Sequence, residues 1–104
     1  MLKLAVLVSG GGTNLQAIID GIQGGSITNA RIQIVISNNK NAYALRRAQE
    51  NGIRHCCVSP KDYPDREAFH RGLLKALRDS GADLVVLAGY LVAIPPCVEE
   101  AFPN

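Results

Sequence analysis

Residues 4–19 read LAVLVSGGGTNLQAII, and this stretch decides the fold. An uninterrupted apolar run, Leu4 to Val8, leads into Gly10, Gly11 and Gly12, and Thr13 and Asn14 then open a segment with helical spacing. Strand, glycine turn and helix N-terminus make the phosphate-binding end of a βα unit. Glycines let an anion approach the backbone with no Cβ in the way. The first-turn amides and the positive end of the helix dipole then face that anion. Thr13 and Gln16 stand in the T-x-x-Q relation of a capping box, which predicts that they satisfy two of the helix's unpaired donors.

The pattern narrows the choice of anion. A dinucleotide site wants G-x-G-x-x-G, and here Leu15 occupies the third glycine position. Such a site also wants an acidic residue after the second strand, yet no Asp or Glu lies between Asp20 and Glu50. A P-loop needs Lys directly after its last glycine, where Thr13 stands. What remains is a cradle for the phosphate of a mononucleotide or sugar phosphate, or a plain βα corner with no ligand.

Outward from this stretch, strands and helices alternate. Leu15, Ile18, Ile19 and Ile22 give a first helix over about Asn14 to Ile22, ended by Gly24-Gly25. Arg31 to Ser37 is a buried strand rich in β-branched residues, though its alternation is unclear. Asn41 caps a second helix, Ala42 to Asn51, with Ala42, Leu45 and Ala48 inward and Gly52 beyond its end. Ile53 to Val58 forms a third, more polar edge strand, and residues 59–64 are loop. Asp65 caps a third helix, Arg66 to Ser80, with Phe69, Leu73, Ala76 and Leu77 inward, His70 in solvent and Gly81 at the stop. Leu84 to Ala88 is a fourth strand, apolar throughout, and Pro95-Pro96 introduces a short amphipathic piece.

This alternation specifies an α/β chain whose parallel sheet has flanking helices and right-handed crossovers. Residues 1–104 supply one Rossmann-like mononucleotide-binding half with strand order 3-2-1-4. Ligands of such a sheet sit beyond the carboxyl ends of the strands, where the order reverses. That point lies between strands 1 and 4, so the 10–14 and 89–94 loops are expected to face each other, with Arg66 on the same side.

Composition bounds the rest. Net charge is only +2, which does not argue for nucleic acid. Residues 1–49 hold Lys3, Arg31, Lys40, Arg46 and Arg47 against Asp20 alone, a bias that suits a phosphorylated ligand. Cys56, Cys57 and Cys97 lack tetrahedral metal-site spacing and are expected to be buried free thiols, with no metal. Free thiols, no leader pattern and no run long enough to span a membrane point to the cytoplasm.

VLVSGGGTNLQAIID, with ISNNKNAYALRRAQENGI, YPDREAFHRGLL and DLVVLAGYLVAI, resembles the phosphoribosylglycinamide formyltransferase family of purine biosynthesis along the whole chain. The resemblance implies that Gly12, Thr13, Asn14 and Leu15 hold the phosphate of glycinamide ribonucleotide. It implies that Arg66 contacts the folate cosubstrate, 10-formyltetrahydrofolate, and that Leu91, Val92, Ala93 and Ile94 line the pterin pocket. Val92 is a departure, since a long polar residue often stands there. The family's acid–base machinery, an N-I-H-P-S motif and a later Asp, is not found in this sequence, and Asn104 is not a substitute for it.

Three expectations follow. Residues 1–104 form the N-terminal binding half, without catalytic residues of their own, and the chain alone is inactive. Its apolar strand 4, at a sheet edge, pairs with another copy or with the missing C-terminal half. Gly12→Val abolishes anion binding with only modest loss of fold. Two rival classes are a non-catalytic nucleotide-phosphate-binding module and a nicotinamide-dependent oxidoreductase fragment.

Overall fold

A computed structural model describes residues 1–102; Pro103 and Asn104, the latter expected to have no catalytic part, lie outside the described residues. The chain runs β1 (Leu2–Val8), α1 (Thr13–Gln23), β2 (Ala30–Ser37), α2 (Tyr43–Glu50), β3 (His55–Cys57), a 3-10 turn at Pro60–Asp62, α3 (Arg66–Ser80), β4 (Leu84–Leu87) and α4 (Pro96–Ala101). The sheet order is β3-β2-β1-β4, as the alternation predicts, and every pair is parallel.

Successive side chains of a strand point to opposite faces, and β1 shows this cleanly. Leu4, Val6 and Val8 pack with Leu15 and Ile19 of α1 and Ala44 and Ala48 of α2. Ala5 and Leu7 pack on the other face with Phe69, Leu73 and Leu77 of α3 and Val98 of α4. A parallel strand covered by helices on both sides has no polar face, hence the unbroken apolar run in the sequence.

The unclear alternation of β2 has a physical cause. The register with β1 shifts between Leu4 and Ala5, which pair with Ile32 and Ile34. Gln33 is the extra residue, and its Nε2 donates to the Ser80 carbonyl at 2.8 Å. The bulge turns Ile32 to the α1 face and Ile34 to the α3 face, although the two are two residues apart.

Helix ends follow the sequence where glycine sets them. Gly81 ends α3 at φ 76. Gly52, at φ 67, closes a Schellman arrangement in which the Ile53 amide donates to the Ala48 carbonyl and the Gly52 amide to that of Gln49. The Asp65 side chain caps α3 by accepting from the Ala68 amide at 2.8 Å.

Two expected caps are not made. The N-cap of α1 is Gly12 in the left-handed region, one residue earlier than a capping box centred on Thr13 requires, and no side chain caps the helix. Gln16 instead donates to Asp20 and accepts from Arg47. Asn41 does not cap α2: the N-cap is Ala42, and the Asn39 side chain takes the Asn41 amide in a local turn. The third strand is only three residues long, and part of the expected 59–64 loop winds into the 3-10 turn, whose first free amide is taken by the Ser59 hydroxyl.

Candidate functional site

The loops that follow β1, β2, β3 and β4 gather at the carboxyl edge of the sheet. The first, Ser9 to Gly12, is shaped by its neighbours rather than by glycine freedom alone. The Ala44 amide of α2 donates to the Gly10 carbonyl at 3.1 Å, and Arg47 Nε donates to the Gly11 carbonyl at 2.6 Å. The Arg47 guanidinium also lies over the Tyr43 ring, 4.9 Å from its centroid, and donates to Gln16. Gly12 sits at φ 79 with α2 directly behind it: a Cβ there would lie 2.7 Å from the Ala44 Cβ. Its vacant side-chain position thus faces a packed helix and not the anion side. The expectation for Gly12→Val is corrected accordingly, because the fold itself cannot accept the substitution.

Gly12, Thr13, Asn14 and Leu15 together form the uncapped N-terminus of α1. Thr13 and Asn14 are exposed, while the Leu15 side chain is wholly buried, so Leu15 can offer a ligand only its backbone. With no side chain on the first turn, more amides remain for an anion than a capping box would leave.

The β4 loop comes to this same point. Gly89 turns at φ 77, and a Cβ there would lie 3.8 Å from the side-chain Nδ2 of Asn14. The Leu91 amide donates to Ser9 Oγ at 2.8 Å, and Ser9 Oγ donates to Asn38 Oδ1 at 2.6 Å. The expected facing of the 10–14 and 89–94 loops is therefore met.

Beside it lies a cleft of about 650 Å³, walled by Arg66 and His70 of α3, by Tyr63 and by Val92, Ala93 and Ile94. Arg66 is held at the start of α3 by the Asp65 cap. Tyr63 packs edge-on to Phe69 and against Gly72, whose missing side chain makes room for the ring. One sequence expectation changes here. His70 is half-buried rather than in solvent, because it lines the cleft with its ring 5.8 Å from that of Phe69. Leu91 is 86% exposed and stands outside the wall that Val92–Ile94 forms.

Titratable groups near the edge are few. Burial pushes the Cys56 and Cys57 thiols up, with the neighbouring Cys57 and Asp62 charges, respectively, acting in the same direction. Both are half-buried rather than fully buried, and both stay protonated at neutral pH, which suits free thiols rather than nucleophiles. Burial also pushes the Tyr90 phenol up to about 12. Its buried hydroxyl has no hydrogen-bond partner among the described residues. The described residues contain no group of His, Cys, Asp or Glu able to hold a metal ion, and no described helix is long and apolar enough to cross a membrane.

Sequence reasoning missed Ser9, Asn38, Arg47 and Tyr63. Ser9, Asn38 and Arg47 act through contacts distant in the chain, 82 residues for Ser9 with Leu91 and 36 for Arg47 with Gly11, which no local pattern announces, whereas Tyr63 packs on the nearby Phe69 and Gly72.

Comparison with known proteins gives the same picture. The formyl transferase family profile matches residues 2–104. A phosphoribosylglycinamide formyltransferase from Haemophilus influenzae is 39% identical over 98% of this chain and 48% of its own length. One from Dictyostelium discoideum is 40% identical over 98% of this chain and 53% of its own. The crystal structure of glycinamide ribonucleotide transformylase 1 from Symbiobacterium toebii superposes with a TM-score of 0.93 at 44% identity, covering 100% of this chain and 49% of that one. The chain thus spans about half the length of the curated relatives it matches. With its parallel 3-2-1-4 sheet, its open glycine turn and a family match across nearly all its residues, this chain belongs to the formyl transferase family.

Proposed function

We propose that this chain is the N-terminal, ligand-holding half of a cytoplasmic phosphoribosylglycinamide formyltransferase. The reaction moves a formyl group from 10-formyltetrahydrofolate to the amine of glycinamide ribonucleotide, a step of purine biosynthesis. In this reading the first turn of α1, Gly12 to Leu15, receives the ribonucleotide phosphate through backbone amides, with the Thr13 and Asn14 side chains beside it. Arg66 and the loop of Leu91, Val92, Ala93 and Ile94 receive the folate. Val92 and Ile94 supply apolar walls, the backbone of the loop supplies donors and acceptors for a flat heterocycle, and the Arg66 guanidinium supplies charge for a carboxylate.

The relatives' names support the reaction, and the observation that carries the reading is the open N-terminus of α1 beside the Arg66 cleft. Amine attack on the formyl carbon builds a tetrahedral oxyanion and must shed a proton, so it needs preorganised donors and a general acid–base. We assign these roles to a segment outside residues 1–104, consistent with the half-length match to the relatives. The contribution of this chain is to bind both ligands and bring the amine to the formyl carbon; positioning of this kind is itself a large part of catalysis. We further propose that the free edge of β4 is covered by that segment or, in its absence, by a second copy.

Calorimetric titration with glycinamide ribonucleotide against NAD tests the reading. Binding of the ribonucleotide, competed by inorganic phosphate, with none of NAD is expected. NAD binding without the ribonucleotide would point to an oxidoreductase fragment. Ribonucleotide binding with no formyl transfer, even with the remainder of a formyltransferase supplied, would leave a pure binding module.

A further inference from the structure

We propose that Ser9 is a positioning residue that sets the folate-side loop against the phosphate cradle. The inference deepens the functional reading above and rests on it. Ser9 is 7% exposed and follows β1 directly, before the flexible glycines begin. Its hydroxyl is both donor and acceptor. It donates to Asn38 Oδ1 at 2.6 Å and accepts from the Leu91 amide at 2.8 Å. One oxygen atom therefore hydrogen-bonds to the loops after both β2 and β4 while sitting itself in the loop after β1.

The two bonds depend on each other. A hydroxyl has one proton, and Asn38 takes it, which turns a lone pair toward the Leu91 amide. Asn38 thus fixes the rotor, and the rotor fixes the loop. The other ties of the loop are mostly apolar. The Ala88 amide donates to the Leu7 carbonyl at 2.9 Å, Tyr90, Val92 and Ile94 pack partly buried against the core that holds Leu73, and Pro95 is buried, while Leu91 itself is 86% exposed. The Leu91 bond pins the segment between Gly89 and Pro95 near its start, just before Val92. That segment carries Val92, Ala93 and Ile94 along one wall of the cleft. The fixed end of the bond is the residue that leads into Gly10–Gly12. The distance between the two ligand sites is set through Ser9, and a bimolecular group transfer is sensitive to that distance.

The test uses Ser9→Ala and Ser9→Thr in the full chain, read by amide hydrogen exchange without ligand and by titration with tetrahydrofolate and with inorganic phosphate. Ser9→Ala is expected to speed exchange of the Leu91 amide at least about tenfold and to weaken tetrahydrofolate about tenfold, the scale of one lost buried hydrogen bond. Phosphate affinity should stay within about twofold, because the α1 amides are untouched. Ser9→Thr keeps the hydroxyl and should restore most of the loss. Asn38→Ala frees the rotor without removing it, so it should shift the same readouts the same way by less; it decides the matter if Ser9→Ala does not fold. Unchanged Leu91 exchange, equal losses for both probes, or a Ser9→Thr variant no better than Ser9→Ala would overturn the role of Ser9 alone. A wild-type chain that binds neither probe would overturn the functional reading, and this inference with it.

Discussion

Gly12 shows why a glycine in a motif has to be read in three dimensions. The triplet Gly10–Gly12 is visible in the sequence, but which member cannot be replaced is not. That is decided by α2, whose Ala44 packs against the Gly12 backbone. Gly12→Ala should cost about 2–3 kcal/mol in a denaturant melt, from the left-handed backbone and the clash together. Gly10 has nothing within 4 Å of an added Cβ and no positive φ, so Gly10→Ala should stay within about 0.5 kcal/mol. Reversal of this order would mean that the turn is held differently.

Tyr90 offers a second residue-level test. Its unpartnered hydroxyl makes Tyr90→Phe stabilising, by about 1 kcal/mol, the lower end of the cost of an unsatisfied buried group. The pH dependence has a definite sign. Below pH 10 the phenol is neutral in the folded and the unfolded chain, and between 10 and about 12 only the unfolded chain ionises freely. Stability should therefore fall as pH rises through that window, and fall less in Tyr90→Phe. Parallel urea melts at neutral and alkaline pH give both comparisons, and a destabilised Tyr90→Phe would reveal a partner for the hydroxyl.

At the scale of elements, helices whose ends are set by glycine or by Asp65 can be read directly, because those signals act within four residues. The caps of α1 and α2 cannot, since the tertiary turn around Gly12 and the Asn39 turn override the local propensities of Thr13 and Asn41. The Gln33 bulge is likewise invisible, being forced by register against β1 and held by a carbonyl 47 residues away. The candidate site divides the same way. Which loops meet follows from strand order, and the side chains that tie those loops together do not.

Arg66 belongs to this scale because its place depends on the helix it begins. Arg66→Ala, in the protein carrying this chain, should weaken tetrahydrofolate by about 1–3 kcal/mol while leaving glycinamide ribonucleotide nearly unchanged. Asp65→Ala should cost about 1 kcal/mol of stability and a smaller part of the folate affinity, since Arg66 then starts from a frayed turn. Equal losses for both ligands in Arg66→Ala would mean that the residue holds the loop rather than the folate.

For the molecule as a whole, the sheet has two unlike edges. At one, β3 is three residues long with an exposed His55, which gives a passing strand little to pair with. At the other, β4 pairs only with β1 on one side, and its residues LVVL carry no charge. Leu84, Val85 and Val86 are half-exposed and Leu87 is 53% exposed, although the run reads as that of a strand buried on both faces. Apolar side chains and unpaired backbone groups on one open edge make a surface that a further strand would complete. Light scattering after size exclusion should find the 104-residue chain self-associated, with the larger species growing as concentration rises. Leu87→Lys places a charge on that edge where the side chain already meets water, so it should shift the population to monomer while leaving the thermal midpoint nearly unchanged. The same substitution should weaken docking of a separately supplied second half if, as proposed, that half uses the same edge. A wild-type chain that stays monomeric at all concentrations, or a Leu87→Lys variant that associates as before, would place the contact elsewhere and leave β4 a tolerated open edge.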